Sequence, residues 1–154
     1  MKRVGSALAV AAITLLTAAR GAAQLAVPPG VWLLEGKAAV RIFECDGLMC
    51  GRILWMRIPR DAEGERVLDK KNPDPALRRR PLCGLTIIGD LRPDVPGHWT
   101  DGWLYNPDDG VKYKVTARLE SDDVIVARAY LLLPLFGKTL TLTRVPRGTS
   151  EGRC

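Results

Sequence analysis

The sequence predicts an all-β domain of about eight antiparallel strands, closed as an up-and-down barrel, with one long polar loop that carries a short helical turn. Three observations lead there. Apolar and polar residues alternate with a period of two through Val111 to Leu119 and Lys138 to Arg144, the pattern of strands with one wet face. Turn chemistry separates the strand-like runs at short intervals, as in Asn106-Pro107-Asp108-Asp109-Gly110 and Glu120-Ser121-Asp122-Asp123. No run carries an apolar stripe at helical spacing. Successive hairpins at this spacing form a meander, and closure removes its exposed edges. A two-sheet sandwich fits the same pattern and is the structural rival.

In chain order, Gly30 to Glu35 is a short apolar run, and Ala38 to Cys45 and Met49 to Ile58 flank an Asp46-Gly47 turn. Pro59 to Pro81 is long and polar, and loops of this length are usually functional or disordered. Within it Asp74-Pro75 reads as a helix N-cap followed by proline at the first helical position, so a single turn through Ala76-Leu77-Arg78 is expected, folded over one end of the barrel. Leu85 to Leu91, His98 to Tyr105, Val111 to Leu119, Val124 to Leu132 and Lys138 to Val145 complete the strands, with a turn from Pro134 to Gly137. Val111, Tyr113, Val115, Ala117 and Leu119 share one face. Leu140, Leu142 and Arg144 share another, which puts an arginine on the apolar side.

The N-terminus predicts export. Met1-Lys2-Arg3 is basic, Val4 to about Leu16 is uncharged and apolar, and small residues lead to Gly21-Ala22-Ala23, the order of a secretory signal cut before Gln24. The uncharged stretch stops at Arg20, short of the roughly 20 residues of a spanning helix. No later segment is suited to span a membrane as a helix. A signal at 1–23 and one domain at 24–154, periplasmic or secreted, are the expectation. Removing Lys2, Arg3 and Arg20 from 23 basic residues leaves 20 against 17 acidic ones, a net charge of about +3 rather than +6. That is too little for a nucleic-acid footprint, which needs strong localised positive charge.

Cys45, Cys50, Cys83 and Cys154 all lie after the signal, and in an oxidising compartment an even count is read as disulfides. Cys45 and Cys50 bracket a turn, which makes their pairing geometrically easy. Cys83 with Cys154 is the arithmetic remainder.

Catalytic chemistry is poorly supplied, and no enzyme activity is expected. His98 is the single histidine, Ser121 and Ser150 are the only serines after the signal, and no G-x-S-x-G elbow exists. Asp69, Asn72 and Asp74 form an oxygen-rich cluster of the kind calcium accepts, but lack the glycine and terminal glutamate of an EF-hand loop and serve equally as turn and cap residues. No metal site and no cofactor are expected.

Gly30-Val31-Trp32 at the start and Thr143-Arg144 at the end resemble the closing pair of lipocalin-like (calycin) barrels, in which an arginine of the last strand covers a tryptophan of the first. A guanidinium over an indole gains cation–π attraction while its remaining donors reach nearby carbonyls. Nearly the whole chain after the signal resembles the DUF2147 family of exported bacterial proteins. The resemblance is carried by Gly30-Val31-Trp32, Cys45 to Ile53, Asp69 to Pro75, Arg80 to Leu85, Trp103 to Tyr113 and Gly137 to Arg144. Gly110-Val111-Lys112-Tyr113 departs from the family's G-K-x-Y at a turn. The resemblance implies a lipocalin-like barrel and carries over no catalytic residues.

Eight strands enclose either a side-chain core or one small ligand. The first expectation is a periplasmic binding protein for a small apolar or amphipathic molecule. Trp55 and Tyr113 would line its interior, Arg78, Arg79 and Arg80 would receive an anionic group near the mouth, and Trp32 with Arg144 would close the far end. The second is a module that binds an envelope protein or polymer through its loops while the barrel is solid.

Overall fold

A computed structural model describes residues 29–146 and Cys154; the expected signal at 1–23 lies outside the described residues. The strands are β1 (Gly30–Leu34), β2 (Ala38–Cys45), β3 (Leu48–Met56), β4 (Thr86–Pro93), β5 (His98–Asn106), β6 (Val111–Ser121), β7 (Val124–Tyr130) and β8 (Lys138–Arg144). Each pairs antiparallel with the next, and β8 returns to β1 with Trp32 opposite Arg144, so the sheet is a closed barrel and not the rival sandwich. The β2–β3 link shows how local chemistry sets the register. Asp46 and Gly47 both take positive φ, at 52° and 76°, the two-residue turn whose twist matches its strands. Cys45 and Cys50 are disulfide-bonded across it, and Cys83 is bonded to Cys154.

Alternate residues of every strand fill the interior. Leu34, Ile42, Met49, Ile88, Leu91, Leu104, Val115, Ile125, Leu140 and Leu142 meet around a residual cavity of about 20 Å³, room for a single water. Gly102 leaves space for Leu91: a Cβ there would lie 2.3 Å from Leu91 Cγ. The barrel is a packed core.

At the end where β1 begins, the Arg144 guanidinium lies 4.3 Å from the centroid of the Trp32 ring. Its Nε donates to the Asp122 carbonyl at 3.0 Å and faces the Asp123 carboxylate at 3.2 Å. Trp32 is fully buried. Replacing Arg144 with alanine should cost about 1–3 kcal/mol through lost stacking and lost hydrogen bonds. Thermal melting of the variant beside wild type measures this, and an unchanged midpoint would remove the pair from the list of stabilising contacts.

The opposite end gathers the β1–β2 turn, the long connection from 57 to 85, the β5–β6 turn and the connection from 131 to 137. Here the strands stop earlier than the sequence suggested. β3 ends at Met56, not Ile58, and β7 at Tyr130, not Leu132. Pro134 cannot donate to a ladder, and Arg128 draws the chain back by donating to the carbonyls of Pro134 (2.8 Å) and Leu135 (2.9 Å). The turn expected after Asp74 is a 3-10 turn, Pro75–Leu77, with the Asp74 carboxylate accepting from the Ala76 amide. The long connection does not simply fold over the barrel end. It is anchored on the outer face of β5, at Tyr105, whose strand neighbour Leu104 points inward.

Candidate binding groove

A buried polar knot fixes the long connection. Asp69, only 1% exposed, accepts from Tyr105 Oη at 2.5 Å, from Asn72 Nδ2 at 2.8 Å, and from Arg80 through Nε at 2.9 Å and a terminal nitrogen at 2.8 Å. Burial pushes the Asp69 carboxyl up, but the donors from Tyr105, Asn72 and Arg80 together outweigh it and hold the group below its ordinary value. Burial and then the Asp69 carboxylate push the Tyr105 hydroxyl up. Asn72 adds its carbonyl to Arg78 Nε at 2.7 Å and its side-chain oxygen to the Asp74 amide at 2.9 Å. The oxygen cluster is therefore engaged by protein donors, among them the Arg80 guanidinium on Asp69 and the Ala76 amide on Asp74. Among the described residues no group of three or more His, Cys, Asp or Glu could hold a metal ion.

This knot dismantles the expected basic run. Arg80 turns into the knot, Arg78 ties back to Asn72, and Arg79 is exposed, so the three do not converge on one ligand. Tyr113 does share the inward face with Leu104, opposite it in the register, but sits at the barrel end and donates to Asp109 Oδ2 at 2.8 Å. That bond, then burial, raises the Tyr113 pKa. Trp55 corrects a third expectation. A bulge between Ala39 and Val40 aligns Trp55 with Ala39 while Ile53 aligns with the inward Val40, so the indole stands on the outer wall, outside the lumen.

What Trp55 lines instead is an open groove of about 380 Å³ between β3 and the long connection. Met56, Pro59, Val67 and the Cys83–Cys154 disulfide supply apolar wall, and Arg57, Arg60 and Arg66 supply charge. The arm bearing two of these arginines is a small hairpin: Arg60 bridges Arg66, and the Asp61 amide donates to the Glu65 carbonyl at 2.9 Å. Among the described residues, neither Arg57 nor Arg66 forms an ion pair. A drug-sized ligand needs about this volume, mainly apolar with a few placed polar groups. These arginines form no run in the sequence, being spread over ten residues with acids between them; the local signal is Gly64, which marks the turn that brings Arg60 back beside Arg66.

Three comparisons bear on identity. The DUF2147 family model, described as an uncharacterized protein conserved in bacteria, matches residues 30–144. Comparison with curated proteins finds no match. Among solved structures, the chain is similar to a protein of the human pathogen Helicobacter pylori that belongs to the lipocalin family, with 27% identity and a TM-score of 0.65, covering 77% of this chain and 83% of that one. An eight-stranded closed barrel with an arginine over the first-strand tryptophan agrees with both, and the chain belongs to the DUF2147 family, with a lipocalin-like fold.

Proposed function

We propose that the protein is a non-catalytic binding module of the bacterial envelope that takes an anionic amphipathic molecule in the groove on its outer wall. One observation carries this: the groove offers about 380 Å³ beside an indole and three guanidinium groups, whereas the lumen offers about 20 Å³. An apolar face bordered by arginines suits a ligand with an aromatic or aliphatic body and a carboxylate, sulfonate or phosphate head. The basic-apolar-small N-terminus and the two disulfides support an exported setting. This reading keeps the small amphipathic ligand of the first expectation and the solid barrel of the second, and moves the site to the wall.

The test uses 1-anilinonaphthalene-8-sulfonate, an anionic naphthalene, as probe. One molecule should bind per chain, with enhanced probe fluorescence. Trp55→Ala should weaken binding roughly tenfold by removing a stacking surface, and Arg57→Ser with Arg66→Ser by at least as much. Binding that ignores all three substitutions would place the site elsewhere.

A further inference from the structure

We infer that the connection from Leu131 to Phe136 is a membrane-contact tip that seats the barrel on an anionic lipid surface. The segment reads Leu-Leu-Leu-Pro-Leu-Phe, without one polar side chain. Instead of packing, it stands in water. Leu132 is 85% exposed, Phe136 80% and Leu135 78%, with Leu131 and Leu133 above half. Side chains this exposed sit on a convex tip, not in a groove. Soluble domains rarely leave such a contiguous patch without a partner, whether protein or membrane.

Two features favour lipid over a protein face. The first is the state of the backbone. A segment entering a bilayer interface must satisfy its own polar groups, and the second half of this one does so in advance. The Phe136 amide donates to the Leu133 carbonyl and the Gly137 amide to the Pro134 carbonyl, each at 3.1 Å. Arg128 covers the Pro134 and Leu135 carbonyls and anchors on Thr139 Oγ1 at 2.8 Å. Gly137 permits the tight return: a Cβ there would lie 2.5 Å from the Ala129 carbonyl oxygen. The tip is thus held in one shape that points apolar side chains outward.

The second feature is charge. Lys138 follows the tip after Gly137, Lys114 stands opposite Tyr130 in the register, and the adjoining end of the barrel carries Lys37 and Arg57. Glu35 lies among them, 3.2 Å from Lys138, and Asp109 of the β5–β6 turn is engaged by Tyr113 and Asn106. Cations around an apolar wedge are the arrangement that anionic head groups attract. The tip lies at the same end of the barrel as the groove, so seating would bring the groove close to the lipid surface.

The experiment uses protein exported to the periplasm, its processed N-terminus checked by intact mass, and sedimented with vesicles of phosphatidylcholine alone or mixed with phosphatidylglycerol. Wild type should partition onto the phosphatidylglycerol vesicles, and less onto phosphatidylcholine alone. Leu132→Ser with Phe136→Ser should lower partition about tenfold or more, as several buried methylenes are lost. Lys37→Glu with Lys114→Glu should remove the preference for phosphatidylglycerol, at about fivefold per charge. All four side chains are on the surface, so melting curves should stay near wild type, and the sulfonate probe should still bind the groove of the Leu132→Ser, Phe136→Ser variant. Absence of wild-type partition, or partition unchanged by the apolar double substitution, overturns the inference. So does a wild-type dimer in sedimentation velocity that the same substitution disperses, which would assign the tip to self-association.

Discussion

Replacing Asp69 with alanine should destabilise the protein by about 2–4 kcal/mol and loosen the long connection as a unit. Removing one partner of a buried ion pair commonly costs about 3–5 kcal/mol, but the Arg80 side chain is 34% exposed, so its stranded charge regains some water and the expected range is lower. Tyr105 and Asn72 lose an acceptor in the same step. Arg80→Leu combined with Asp69→Ala should be milder than the sum of the two single changes, because it removes the stranded cation. The pH dependence has a fixed sign. A carboxyl held below its ordinary value contributes stability that is full above its unfolded pKa, about 3.9, and is lost as pH falls through the lower folded value. Wild type should therefore lose melting temperature faster than Asp69→Asn as pH drops below about 4. Parallel curves would show that Asp69 is not the group being titrated. Limited proteolysis between Pro59 and Pro81 should accelerate in the alanine variant, and the sulfonate probe should bind more weakly, since Arg60 and Arg66 ride on this connection.

The strand pattern was legible because alternation and turn chemistry are local. Ala38 to Cys45 matches β2 to the residue, and the Asp74-Pro75 cap matches the observed turn. The Trp32 and Arg144 contact was accessible only through resemblance, since it joins residues 112 positions apart that nothing local connects. Trp55 departs from the expected inward face for a local reason. Period-two reasoning assigns each residue a face by parity, and one bulge opposite Ala39 and Val40 inverts the parity beyond Ile53. The Asp69 knot is visible in the sequence only as the polar cluster Asp69, Asn72 and Asp74, not as a buried site, because Arg80 comes from the basic run and Tyr105 from a strand 36 positions away. Leu131 and Leu132 read as strand on composition; the competing fact was Arg128, which holds the chain in a turn by its carbonyls.

Leu91→Ala should produce an equally large effect and separates the two possible locations of a ligand. Leu91 is 2% exposed and fills the barrel beside Gly102, which has no Cβ to take its place. The substitution removes the transfer free energy of the side chain and leaves a hole that strands locked by hydrogen bonds on both sides cannot close, so a cost of about 2–5 kcal/mol is expected. The hole joins a cavity of about 20 Å³ walled by Ile42, Met49, Ile88, Leu104 and their neighbours, all apolar, and such a space stays dry. A small neutral hydrocarbon such as benzene should then raise the melting temperature of Leu91→Ala and leave that of wild type unchanged, because a ligand stabilises only the state that has room for it. The charged naphthalene should bind both proteins equally, since Trp55 and the arginines of the groove lie on the other side of the wall. A wild-type barrel stabilised by benzene would mean that the interior opens in solution, and would return the lumen to contention as the binding site.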